Sequence, residues 1–249
     1  MWQIASALVL AWLALARPVA AQQVPRGIAL DRFETAPAGD CMLGIPDPTV
    51  ASGVRPSIGV MGTYARDPLI LVYDNSDRSE IGRVVTHQLN FHAMAAIDFA
   101  AIAKLHVDIP FMASQGGSSP SLDGVKTAAP DSAVLGDVRT GLRLALVGQH
   151  GWVPSVAANA NVWIPTGDDK SFTSSGSTRY LLELIVGADK DSYLWRVTVG
   201  RHHAHDDTSL QGLVASDATL TAGAAYRFGS VWLGPELHGS TAKFFLASA

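Results

Sequence analysis

The sequence predicts an all-β fold, an antiparallel up-and-down transmembrane β-barrel of about nine strands that is incomplete, and three observations predict it. From Gln88 to Phe111 apolar and polar residues alternate almost without interruption: Leu89, Phe91, Ala93, Ala95, Ile97 and Phe99 oppose Gln88, Asn90, His92 and Asp98. A strand sends successive side chains to opposite faces, so this alternation marks strands with one apolar and one wet side. Runs of this kind recur at the roughly 9–11 residues that a tilted strand needs to cross a bilayer. Connections alternate between tight and long, and the chain opens on an export signal.

Met1–Ala21 reads as that signal, with an apolar core over Ile4–Ala16 and small residues at Val19-Ala20-Ala21. An extended N-terminal segment follows over residues 22–55, and the barrel occupies 56–249. Outside the signal, no segment approaches the continuous apolar run of a membrane helix. The single cysteine, Cys41, has no partner for an internal disulfide. A net charge of −4 gives no electrostatic footprint for nucleic acid. A charged fraction of 16% is low for an exported soluble protein and suits a lipid-facing belt.

The expected strands lie near Pro56–Tyr73, bent across Asp67-Pro68, then Ile81–Phe99, Lys104–Ala113, Gly136–Val147, Trp152–Ile164, Thr178–Ala188, Tyr193–His202, Asp217–Phe228 and Val231–Thr241. Ala100–Ala103, Gly148–Gly151, Asp189–Ser192 and Gly229–Ser230 are the tight turns; Ser114–Leu135, Pro165–Ser177 and His203–Ser216 are the long loops. Short periplasmic turns and longer external loops are the habit of outer-membrane barrels. Phe99, Trp152, Tyr193, Trp195, Tyr226 and Phe228 flank the short turns on the apolar phase and form an expected aromatic girdle, whereas Trp163 and Trp232 fall on the inward phase.

The polar phase supplies the expected lumen lining: Asn90, His92, Asp98, His106, Asp108, Asp137, Arg139, Arg143, Asn159, Asn161, Arg179, Glu183 and Arg196. Both charge signs stand on neighbouring strands, which suits either mutual salt bridges that hold a closed barrel or a charged pore wall. His202-His203-Ala204-His205-Asp206-Asp207 has metal-ligand chemistry but falls in a long loop that fixes no geometry, and Asp168-Asp169-Lys170 lacks the spacing of a calcium loop. No nucleophile elbow, phosphate-binding loop, Cys-x-x-Cys or His-Glu-x-x-His occurs, so no enzyme, metal or cofactor is expected.

The stretch Phe33-Glu34-Thr35-Ala36-Pro37-Ala38-Gly39-Asp40, followed by Gly44-Ile45-Pro46-Asp47-Pro48, is similar to the mature start of OmpA-family outer-membrane proteins of Gram-negative bacteria. Tyr64-Ala65-Arg66-Asp67-Pro68-Leu69, Val84-Val85-Thr86-His87-Gln88-Leu89, Trp163-Ile164-Pro165-Thr166-Gly167 and Gly234-Pro235-Glu236-Leu237-His238-Gly239-Ser240-Thr241 extend the resemblance in the same order. It implies a barrel followed by a periplasmic peptidoglycan-binding domain. The chain departs from that pattern at Cys41, where a large residue is usual, and shows no Asp-rich linker or second domain before Ala249. It therefore resembles the N-terminal barrel region alone.

The expected function is that of a non-enzymatic outer-membrane protein, structural or porin-like. Its partners would be outer-membrane lipid, the barrel-assembly machinery and another chain that completes the barrel. A soluble exported barrel that binds an apolar ligand is the competing reading, and it requires the reverse polarity, apolar within and polar without. The phase assignment predicts that Leu142→Arg blocks membrane assembly while Arg143→Leu does not, because Arg at the bilayer midplane costs about 2–4 kcal/mol. Loss of the heat-shifted band on an SDS gel for the first variant alone is the expected result.

Overall fold

The computed structural model describes residues 29–72, 80–117, 121–122, 125–126, 133–148, 153–168, 171–204, 217–241 and 244–248. The chain is all-β. Its main sheet runs β1 (Val54–Val72), β2 (Glu80–Phe99), β3 (Ala103–Gly116), β7 (Val138–Val147), β8 (Ser155–Ile164), β9 (Arg179–Lys190), β10 (Tyr193–Ala204) and β11 (Asp217–Phe228). The ninth strand is split into β12 (Val231–Leu233) and β13 (Pro235–Ser240), and the short β14 (Phe244–Ser248) pairs with β13. Each strand lies beside its predecessor and antiparallel to it, so the topology is up-and-down throughout. Three short pieces, β4 (Ser121–Leu122), β5 (Val125–Lys126) and β6 (Val134–Leu135), belong to the long connection after β3. β6 pairs back onto β3 at Phe111 and Met112.

The sheet curves into an open half-barrel, with β1 and β14 as its edges. The nine expected strands are all present, with ends shifted by a few residues. Two strands show local breaks. Asp67 adopts a left-handed φ of 49° and the β1–β2 register shifts between Arg66 and Leu69, which is the bend anticipated at Asp67-Pro68. The ninth strand is interrupted at Gly234 without a change of register against β11, and a side chain there would run into the backbone of Ala224 and Ala225. The terminal strand β14 was not foreseen; Phe244-Phe245-Leu246 is too short a run to show a period.

The two faces differ as the alternation requires. On β9, Leu182 is 64% exposed on the convex face while Leu181 is fully buried on the concave one. Ile58, Val60, Tyr64, Leu142, Leu144, Leu146, Leu184 and Val199 all stand exposed on the convex side. Of the expected girdle, Tyr193, Trp195 and Phe228 are exposed there, and Tyr226 stacks edge-on between Tyr193 at 4.8 Å and Phe228 at 4.6 Å. Phe99 is part-buried at the same end, and Trp152 lies outside the described residues. Trp163 faces inward as expected; Trp232 packs against Met42, Ile45, Leu194 and Ala225.

The turn from β2 to β3 shows strain that the sequence could relieve. Ala100 and Ala101 both take positive φ, 51° and 58°, inside a turn closed by Ile102 N–H donating to the Phe99 carbonyl at 2.9 Å. An L-residue in that region costs about 1–2 kcal/mol, and Asn-Gly is the pair that such a turn favours. The double substitution Ala100→Asn, Ala101→Gly is therefore expected to raise stability by about 1–2 kcal/mol, read as a higher urea midpoint at unchanged slope.

Candidate functional site: the concave face and the N-terminal segment

Eleven of the thirteen residues expected to line a lumen are buried on the concave face: Asn90, His92, Asp98, His106, Asp108, Asp137, Arg139, Arg143, Asn159, Asn161 and Arg196. Arg179 and Glu183 share that face and are part-buried. The cover is the chain itself. Residues 29–53 carry no strand and run along the concave face from one end of the sheet to the other.

Hydrogen bonds fix the direction of that run. At the long-loop end, Leu30 N–H donates to the Phe172 carbonyl at 3.1 Å, and Asp31 lies 3.0 Å from His92 Nε2. Further along, Thr35 Oγ1 donates to Asp108 at 2.8 Å while Arg139 donates to the Thr35 carbonyl at 2.6 Å. At the tight-turn end, Ala101 N–H donates to the Ala51 carbonyl and Ala100 N–H to that of Gly53. The segment thus spans the height of the sheet before the chain reverses into β1.

Its carboxylates meet the buried cations. Asp40 accepts two parallel bonds from Arg143, at 2.6 and 3.1 Å, and a third from Lys104 Nζ at 2.6 Å. The side chains of Arg143, Lys104 and Asp40 are 0%, 3% and 1% exposed. Burial opposes ionisation of Asp40, but the adjoining Arg143 guanidinium and Lys104 ammonium hold its carboxyl below the ordinary range. Asp47 accepts from Arg196 Nε at 3.0 Å, and Arg196 also pairs with Asp189 at the rim. In the reverse sense the wall grips the segment: the carboxylate of Glu236 accepts the amides of Leu43 and Gly44 at 2.8 and 2.9 Å. Gly44 is required there because a Cβ would meet the His238 ring and Phe33.

Other predicted residues pair within the wall. Arg139 bonds Asp108 at 3.1 Å, and Arg179 lies 3.5 Å from Asp137. Asn159 and Asn161 both donate to Glu183. His106 Nε2 reaches Asn161 Oδ1 at 3.0 Å across Gly141, whose missing side chain leaves the path clear. Trp163 lies between the guanidinium groups of Arg139 and Arg179, 5.9 and 5.3 Å from its ring centre. The loop between β8 and β9 folds inward over one end: Ser171, Thr173, Ser174 and Ser175 are buried, and Asp137 accepts the amides of Gly167 and Ser175.

Asp31, Thr35, Asp40, Asp47 and Lys104 also belong to this site and are not among the expected lining residues. The signal lay in the register. Lys104 and Arg143 are direct partners on β3 and β7, and Asn159 follows on β8, so no wall neighbour supplies Arg143 with a carboxylate. Arg143→Leu would leave Asp40 with Lys104 as its remaining cation, so the cost of that substitution depends on the segment as well as on the phase of the strand. Among the described residues no cluster of His, Cys, Asp and Glu forms a metal site; the patch 205–207 lies outside them. The chain matches no protein-family model and no curated protein.

The lowered Asp40 ionisation has a signed consequence. A carboxyl held below its unfolded value contributes stability that is complete above the ordinary carboxylate range and is lost as pH falls through the lowered value. The acid limb of a stability–pH curve should therefore flatten in Asp40→Asn. At neutral pH, Asp40→Ala is expected to cost about 3–5 kcal/mol by leaving buried cations uncompensated, measured by urea unfolding.

Proposed function

We propose that the chain is an exported outer-membrane β-barrel protein with a structural, non-enzymatic role and an interior filled by its own N-terminal segment. The observation that carries this reading is the polarity of the sheet. Large apolar side chains stand on the convex face and buried charges on the concave one. A soluble barrel with an apolar ligand needs the opposite arrangement, whereas a bilayer rewards this one. The resemblance to OmpA-family barrels points the same way. The porin-like alternative is less well supported, because residues 29–53 and the inward-folded loop 171–176 occupy the space that a solute would use.

In lipid, unpaired backbone groups along β1 and β14 would cost several kcal/mol each, so we infer that further strands close the barrel there. The two edge strands run antiparallel to one another in the up-and-down order, which lets another chain continue the sheet from either. Insertion would depend on the barrel-assembly machinery.

Fractionation of expressing cells, followed by SDS gels of heated and unheated outer membrane and then liposome conductance, tests the proposal. A heat-shifted outer-membrane band without steady conductance is expected. A heat-shifted band with steady conductance would favour the porin-like reading, and a soluble periplasmic monomer would overturn the membrane reading.

A further inference from the structure

Asp40 sits on the concave face as an occupant sits in a receptor. Lys104 and Arg143 are like charges placed side by side in register on neighbouring strands. Juxtaposed cations in a buried layer are unfavourable unless an anion lies between them. Among the described residues, the wall offers little: Asp98 reaches Lys104 only at 3.6 Å, and no wall carboxylate comes within ion-pair distance of Arg143. The anion comes instead from a segment that belongs to no strand.

The geometry is that of carboxylate recognition. Arg143 presents two N–H groups to the two oxygens of Asp40, the fork that planar carboxylates fit best, and Lys104 adds a third donor. Arg143 Nε is buried with no hydrogen-bond partner, so the guanidinium has unused donor capacity. Asp40 itself stands at the tip of a self-closed loop. Ala36 N–H donates to the Leu43 carbonyl at 2.7 Å, Asp40 N–H to that of Pro37 at 3.1 Å, and Gly39 takes a φ of 86° that the tight turn requires. The loop's closing backbone bonds are therefore internal to it, while its side-chain grip on this part of the wall rests on the carboxylate.

We propose that the Lys104–Arg143 pair is a carboxylate-binding site of the barrel interior, occupied in this structure by the chain's own Asp40, so that the N-terminal segment competes with carboxylate-bearing solutes for it. The site is formed by β3 and β7 alone and does not depend on membrane placement or on closure of the barrel. Three wall donors remain for an incoming carboxylate; the fourth donor to Asp40, the Asp47 amide at 3.1 Å, belongs to the segment and leaves with it.

The test is amide hydrogen exchange of residues 36–44 in the full chain folded in detergent micelles, with acetate as the probe and chloride at equal ionic strength as the reference. In the wild type, acetate should compete with Asp40 and speed exchange several-fold, leaving the amides of β9 unchanged. In Asp40→Ala the segment should lose protection in chloride, and acetate should restore it by filling the vacated site. In Asp40→Ala, Arg143→Met the acetate effect should vanish. The opposite signs in wild type and single variant separate site binding from a general salt effect. Equal exchange of the wild type in the two salts would overturn the proposal even if the single variant failed to fold. A shift of the same sign in both proteins would overturn it as well.

Discussion

The contact on which the rest of the structure depends is the bidentate grip of Arg143 on Asp40, with Lys104 as its third donor. A curved sheet that turns its apolar side chains outward must place its polar ones on the concave face, close together and away from water. Charges buried that way are tolerated only when paired and hydrogen-bonded. Wall-to-wall pairs such as Arg139 with Asp108 meet that need for part of the face. For Arg143 and Arg196, segment carboxylates supply much of the rest through Asp40 and Asp47, with Asp189 at the rim also serving Arg196.

That division explains the placement of residues 29–53. The segment is too rich in Pro and Gly to join the sheet, yet its Asp residues and the small apolar group Met42 and Ile45 find matching partners along one path. Gly223 on β11 leaves room for the ends of Met42 and Ile45, so the packing that seats the segment is built into the wall. The amide–carboxylate fork at Glu236 then ties the path to the far side of the half-barrel. Coverage of the concave face and satisfaction of its charges are one arrangement.

The strands and their phase were legible because period-2 alternation survives in one dimension: Leu182 out and Leu181 in follow from position alone. The inward set was legible for the same reason. What fills the interior was not, because Asp40 and Arg143 lie 103 residues apart and no periodicity connects them. The register of Lys104 against Arg143 would have demanded an outside anion, but register is itself a product of the fold. β14 and the break at Gly234 escaped for a different reason: a five-residue strand and a one-residue interruption are too short to show a period.

The proposed outer-membrane placement requires the apolar convex face to meet lipid while the charged concave face is sealed inside. Nitroxide labels placed one at a time from 180 to 187 on β9, in a Cys41→Ser background reconstituted into liposomes, test it most directly through accessibility to dissolved oxygen. A two-residue period with maxima at positions 180, 182, 184 and 186 is expected. Maxima at the odd positions, or a flat profile, would contradict it.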